Sequence, residues 1–385
     1  MSSLFVGSSV ARAYLAPLKR HSRLLPSACA HRYLSSRATV LLLDDVELAK
    51  AELEKLRAKA NVVRSQSQSR EEFVEELKAL DGLKAIYRHF GGARSIKVTG
   101  RFDQDLVSKL PKSLQFLCHN GAGYDQLDIT SLTQAGIQVS NVPKAVDDST
   151  STTALWLVIG ALRNYSLAQS QLASGHFNSR FPFKAAHDPG SAGAKVLGIV
   201  GAGGIGRALA KKASAALGMT VIYHNRRRLD ADIEAAMVPL GQPAEYVDTL
   251  DELLARSDVV SLHCPLTPET KGLIGKSQLD KMKKTAVLVN TARGPVVDEE
   301  ALSTALESSA IGGAGLDVFE KEPSIHPSLL AQSQDGAGKA LLLPHVGTLS
   351  LETQTEMEAV CLRNIQHGLE TGRLGFTVAE QAGKF

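Results

Sequence analysis

The sequence is short of several things, and each shortage removes a class of role. No apolar run in the 385 residues approaches the ~18 that a membrane-crossing helix requires, so no membrane span is expected. The four cysteines, Cys29, Cys118, Cys264 and Cys361, fall at no metal-ligand spacing; they read as free thiols in a reducing compartment, and no metal site is expected. Acidic residues are absent ahead of Asp44, while Arg12, Lys19, Arg20, Arg23, Arg32 and Arg37 precede it. The formal charge of +3 therefore belongs to the leader, and the rest of the chain carries a net −3. A mildly acidic body is a poor binder of phosphate backbones, so no nucleic-acid partner is expected. Internal repeats and low-complexity tracts are also missing.

The leader is rich in serine and small apolar residues, and arginines break its apolar stretches, as in mitochondrial transit peptides and unlike a secretory core. Arg32-Tyr33-Leu34-Ser35-Ser36 is similar to the processing site of matrix-targeted precursors, with arginine a few residues before serine. Residues 1–37 are accordingly expected to be a mitochondrial targeting peptide and the mature chain a matrix protein, the alternative being a disordered tail.

What is present is a hydrophobic fraction of 44% over a length sufficient for two domains. One stretch organises the rest. Val196-Leu197-Gly198-Ile199-Val200 reads as a buried strand that runs into Gly201-Ala202-Gly203-Gly204-Ile205-Gly206 and then an alanine-rich helix closed by Gly218. The first glycine permits the tight turn, Gly203 lets the backbone approach a pyrophosphate, and Gly206 lets helix and strand pack closely. The phosphates would sit at the helix N-terminus, where free N–H groups and the dipole favour anions. Met219 to His224 is the next strand, and its end decides between cofactors. An acid there would bond the ribose 2′-OH of NAD; this chain has Asn225-Arg226-Arg227-Arg228, whose guanidiniums suit the 2′-phosphate of NADP. NADP is the expected cofactor, with NAD possible; a solvated basic loop is the bland alternative.

Before that stretch, strands are expected at 39–44, 84–87, 114–118 and 136–141 and helices at 46–60, 70–80 and 102–109, the alternation of a parallel sheet covered on both faces. The loop His119 to Asp125 follows a strand directly, and its two glycines leave backbone amides open to an anion such as a carboxylate, unless the loop is a simple turn. His119 reads as a structural histidine. A long apolar helix through Thr153–Leu162 crosses into the second half, and 178–193 is a loop. Later strands are expected at 259–263, 286–290, 312–319 and 341–345, with a helix at 250–254 and a loop at 324–339.

Arg293, Glu322 and His345 each follow an apolar strand of the dinucleotide half, and in an open parallel sheet those strand ends share one edge. Arginine can clamp a carboxylate, histidine can exchange a proton near neutrality, and a glutamate beside it raises its basicity and fixes its orientation. With these residues placed, Gly121-Ala122-Gly123-Tyr124-Asp125, the turn at 201–206, Asn290-Thr291-Ala292-Arg293-Gly294, Gly315 to Pro323 and Pro344-His345-Val346-Gly347 resemble the D-isomer-specific 2-hydroxyacid dehydrogenases, in order and spacing from residue 38 onward. Gly100-Arg101-Phe102-Asp103, the His119–Gln126 run and Tyr223-His224-Asn225-Arg226 resemble the glyoxylate/hydroxypyruvate reductases among them.

The resemblance implies an α/β chain of two Rossmann- or flavodoxin-like parallel-sheet domains in the formate/glycerate dehydrogenase-like arrangement. A substrate domain of residues 38–143 and 348–385 would enclose a dinucleotide-binding domain of residues 144–347, in a homodimer. It implies Arg293, Glu322 and His345 as catalytic residues, with His345 and Glu322 the acid/base pair. The substrate carboxylate would meet Arg293 and the amides of Ala122 and Gly123, and the dinucleotide Gly201, Gly203, Gly204, Ile205, Gly206, Asn225, Arg226, Arg227, Thr291 and Asp317. The expected reaction is NADPH-dependent reduction of glyoxylate or hydroxypyruvate. An NAD-linked dehydrogenase of a larger 2-hydroxy acid and a non-catalytic, dinucleotide-sensing corepressor-like protein are the alternatives. Many members carry a glutamate early in the crossing helix, where this chain has Thr152-Thr153.

Overall fold

The computed structural model describes residues 37–177, 188, 195–334 and 339–385. The expected leader, apart from Arg37, and the expected 178–193 loop, apart from Asp188, lie outside the described residues. Short apolar, β-branched runs supply two all-parallel sheets. The first contains β1 (Thr39–Leu42), β2 (Asn61–Arg64), β3 (Leu83–His89), β4 (Phe116–Asn120) and β5 (Gln138–Ser140), in the order β2-β1-β3-β4-β5. The second contains β6 (Val196–Val200), β7 (Thr220–His224), β8 (Glu245–Tyr246), β9 (Val259–Leu262), β10 (Val287–Asn290), β11 (Gly313–Leu316) and β12 (Ala340–Leu342), in the order β12-β11-β10-β9-β6-β7-β8. The first is the flavodoxin-like order. The second is the dinucleotide-binding order with one strand added, and its direction of winding reverses between β6 and β9, where such sheets open a crevice.

Both faces of each sheet are covered. On the first, Leu41, Ile86 and Leu117 pack with Phe73, Phe102 and Leu106, while Val40, Tyr87 and Cys118 pack with Leu53, Leu56, Met357 and Leu362. On the second, the helix Asp147–Arg163 lays Ala154, Leu157 and Val158 over Val287 and Val289. The last long helix, Leu351–Thr371, is capped by Ser350, whose hydroxyl accepts the Thr353 N–H at 3.2 Å, and it returns to β4 of the first sheet. Its fully buried Leu362 is a side chain whose truncation to alanine removes roughly 2–5 kcal/mol.

Several boundaries differ from the sequence expectation for identifiable reasons. The helix expected from Val46 starts at Lys50, because the N–H groups of Glu47, Leu48 and Ala49 are turned onto the buried Glu358 carboxylate at 2.8–2.9 Å. Phe102 is drawn out of its expected helix into an isolated parallel bridge with Leu127, and Asp103 caps the remaining turn, Gln104–Ser108. Asn61–Arg64, read as no element, is the edge strand β2. The 324–339 stretch contains the helix Pro327–Gln334, whose Ser328 meets Ser303 of the helix Glu299–Glu307 at 2.6 Å. The strand expected to reach Phe319 ends at Leu316.

Candidate functional site

The glycine-rich turn is built as its spacing requires. Gly201 adopts φ +94°, and a Cβ there would strike the Cys264 backbone at 2.7 Å; at Gly206 a Cβ would fall 2.6 Å from the Gly201 carbonyl. The helix Gly204–Leu217 follows with no side-chain cap, so its first N–H groups stay available, and Gly218 ends it at φ +62°. The turn faces a cleft of about 1040 Å³ lined by Gly201, Ala202, Gly203, Asn225, Arg226, Arg227, His263 and Thr270 among others. The residues present fit a dinucleotide. A Cβ on Gly203 would meet no protein atom within 4 Å, so that backbone is open to close approach. His263 Nδ1 in the same cleft, and Thr291 Oγ1 further along, are buried without a protein partner.

The basic stretch after β7 divides. Asn225 Oδ1 accepts the Ala202 N–H at 2.7 Å, which fastens the strand end to the turn. Arg228, expected with its neighbours to face a phosphate, is instead held by the buried Glu234 through Nε at 2.8 Å and Nη2 at 2.9 Å. Tyr223 OH shares that carboxylate at 2.6 Å, so Arg228 is a fixed part of the fold and, of these three arginines, Arg226 and Arg227 line the cleft.

Where the two sheets meet, a smaller pocket of about 50 Å³ is lined by Phe90, Ala122 and Gly123 from one side and Thr291, Arg293, Asp317 and His345 from the other. His345 Nδ1 lies 2.9 Å from Glu322 Oε2, and the other Glu322 oxygen accepts the Phe319 N–H at 2.9 Å. Burial pushes the Glu322 carboxyl up, but the His345 hydrogen bond and charge, the Phe319 amide and Arg293 outweigh it and hold the group below its usual range. His345 has φ +54°, a left-handed conformation uncommon outside glycine. Asp317 holds that turn: its carbonyl accepts the His345 N–H at 2.8 Å, and its carboxylate accepts those of Val346 and Gly347 at 2.7 and 2.8 Å. Burial raises the Asp317 carboxyl, and these two amides offset part of the rise.

Arg293 reaches across to the first sheet. Its Nε donates to Asp125 Oδ1 at 2.8 Å, and its guanidinium lies so close to Gly123 that a Cβ there would fall 1.5 Å from Nη2. The loop itself is pinned by Asn141 Nδ2 donating to the Ala122 carbonyl at 2.7 Å and by His119 Nε2, 2.8 Å from the Gly123 carbonyl. His119 is fully buried and its pKa is driven far down by burial and by Arg88, so it is a neutral strut, in keeping with the structural reading.

Residues 155–347 match the family model described as the D-isomer specific 2-hydroxyacid dehydrogenase NAD-binding domain. The chain is 41% identical to 4-methyl-2-oxopentanoate reductase A of Aspergillus oryzae over 90% of its length and 99% of the relative's. This chain belongs to that family. Among solved structures, the dehydrogenase superposes on a glyoxylate reductase from Paecilomyes thermophila with TM-score 0.80 and 43% identity, covering 89% of this chain and 99% of the other. It also superposes on an NADPH-dependent glyoxylate/hydroxypyruvate reductase from Sinorhizobium meliloti, in complex with NADP and malonate, with TM-score 0.73 and 28% identity over 90% and 98% of the two chains. It is a nicotinamide-dependent 2-hydroxyacid dehydrogenase of two parallel-sheet α/β units.

Sequence reasoning missed two groups in the dehydrogenase's site, Asp125 and Phe90, and one role of a residue it did name, Asp317. Asp125 appeared only as a letter of a motif, although an acid ending an otherwise neutral glycine loop was a usable signal. The turn-holding hydrogen bonds of Asp317 depend on a contact 30 residues away, and Phe90, whose ring centroid lies 5.5 Å from that of His345, carries no local mark at all.

Proposed function

We propose that this dehydrogenase reduces glyoxylate or hydroxypyruvate to the 2-hydroxy acid, drawing on NADPH, with His345 as the acid. The observation that carries the reading is the convergence of His345–Glu322, Arg293 and the Ala122–Gly123 loop on one pocket. The glycine turn and the helix start at Gly204 would hold the pyrophosphate, with Thr291 and Asp317 at the nicotinamide end and Arg226 and Arg227 toward a 2′-phosphate. A bound reduced nicotinamide supplies hydride. Arg293 and the loop amides hold the substrate carboxylate and aim the keto group; protonated His345 gives its Nε2 proton to the oxygen as negative charge gathers there. Glu322, kept ionised, fixes the Nδ1–H tautomer and stabilises the imidazolium.

A second reading, an NAD-linked dehydrogenase of a larger 2-hydroxy acid, draws support from the apolar pocket walls Phe90, Val146 and Met357 and from the substrate in the Aspergillus relative's name. Steady-state rates of the purified protein on a panel of 2-keto acids with NADPH and with NADH test both. Highest kcat/KM for glyoxylate or hydroxypyruvate with NADPH bears out the first, preference for branched acids with NADH the second, and no turnover by folded, NADPH-binding protein favours the corepressor-like reading. We further propose a homodimer and a matrix location, the latter from the acid-free leader: deleting residues 1–34 is expected to abolish import and leave activity intact. An unprocessed N-terminus on protein from cells overturns it.

A further inference from the structure

Arg88, near the end of β3, is fully buried. Its Nη2 donates to Gln126 Oε1 at 2.6 Å, while Nε and Nη1 are buried with no protein partner. Its guanidinium sits over the Phe102 ring at 5.6 Å, and no carboxylate among the described residues lies within ion-pairing distance of it. One hydrogen bond and one aromatic face do not repay the desolvation of a charge, so a position that keeps arginine rather than methionine needs another reason. Burial lowers its pKa to about 10, with Asp44 and Asp125 acting in the opposite sense, so the group remains a cation at neutral pH.

Its place supplies the reason. Arg88 pairs in register with His119 across β3 and β4, and His119 is the strut that holds Gly123. Gln126, its hydrogen-bond partner, follows Asp125 directly. Arg88 therefore meets the 121–126 loop at Gln126, next to Asp125, which Arg293 meets. Arg293 is ion-paired with Asp125, and the other charged groups that share its pocket are Glu322 and, when protonated, His345. Neutral His119 and His89 add no cation.

We propose that Arg88 is a buried counter-charge of the substrate-carboxylate site: with Asp125 offsetting part of the charge of Arg293, Arg88 adds through the loop to the positive field that holds the carboxylate. It is a positioning charge that touches no substrate. The inference rests on the reading that Arg293 and the Ala122–Gly123 amides receive the carboxylate of a 2-keto acid.

The test uses the full-length protein with saturating NADPH and compares wild type, Arg88→Met, Arg88→Lys and Arg88→Met with Asp125→Asn. Wild-type turnover of 2-keto acids is the control for the underlying reading: its absence sinks that reading, whereas turnover with unaltered KM across the variants sinks this inference alone. In Arg88→Met, KM for glyoxylate is expected to rise about ten- to hundredfold with kcat and NADPH affinity held within about threefold, since a charge is lost from a low-dielectric site but no reacting group is moved. Arg88→Lys is expected to restore most of the loss. Adding Asp125→Asn to Arg88→Met frees the charge of Arg293 and is expected to recover about tenfold in KM. A fall in kcat with KM unchanged, or no recovery in the double variant, overturns the proposal. If Arg88→Met does not fold, Arg88→Gln decides: KM for glyoxylate is expected to rise about tenfold or more with kcat held, and an unaltered KM overturns the proposal.

Discussion

The two sheets are wound from the same alternation of strand and helix, yet they handle charge in opposite ways. The second presents backbone N–H groups and surface arginines to a wide cleft, with its one buried acid of that region, Glu234, spent on fixing Arg228. The first buries its polar groups beneath a loop: Arg88, His119 and Asn120 are inaccessible to water, and the loop above them shows little more than amide and glycine. Exposed charges are screened and weakly coupled, while buried ones act over distance and resist replacement. Substitutions in the cleft should therefore read out as graded losses of cofactor affinity, and substitutions around the loop and its partners as steep losses of substrate handling.

The hardest test of that contrast lies on the boundary. His345→Ala is expected to lower kcat by roughly 10²–10⁴, the usual reach of general acid catalysis, with NADPH binding unchanged. Equal glyoxylate turnover in wild type and variant removes His345 from the mechanism. Next comes Arg293→Lys, which keeps a cation and loses the planar fork that meets Asp125 and a carboxylate together; KM should rise and kcat fall jointly, each by about tenfold. A change in KM alone would mean that the fork binds without aligning.

On the cleft side, Arg226→Ala with Arg227→Ala is expected to weaken NADPH about ten- to hundredfold, the worth of a charge-assisted contact, and to spare NADH. Equal losses for both cofactors assign these arginines to structure. The smallest effect is one in which the sheets agree, because each holds a histidine neutral, His119 fully buried and His263 half-buried at the cleft. Burial lowers the His263 pKa to about 3 and carries His119 far down as well. The unfolded chain takes up these protons near 6.5 and the native chain does not, so stability declines as pH falls below about 6.5, and the His263 penalty is complete only below about 3. His263→Gln should flatten the stability–pH slope between pH 6 and 4.5, measured by urea unfolding, by up to ~1.4 kcal/mol per pH unit. An unaltered slope places a charged histidine in the native protein.

The parts legible in the sequence were those written locally. Gly201 to Gly206 could be read because strand, turn and helix follow one another, and the arginine, glutamate and histidine because each sits just after an apolar run. Groups whose meaning depends on remote partners were not legible. Arg293 meets Asp125 across 168 positions, and Glu358 stops a helix start 309–311 residues away. Arg228 was misread for the same reason on a smaller scale: in the sequence it is one of three identical arginines, and only the buried Glu234 six residues on distinguishes it.

The larger cleft takes its whole lining from residues between Val200 and Leu273, whereas the small pocket is incomplete unless Phe90, Ala122 and Gly123 stand opposite His345. A ligand of the cleft meets residues of the second sheet's unit alone, whereas the acid's niche needs residues of both. That asymmetry predicts a kinetic sequence, in which the dinucleotide arrives first and departs last. NADP should then compete with NADPH for the free enzyme, and the hydroxy acid should be noncompetitive against both substrates.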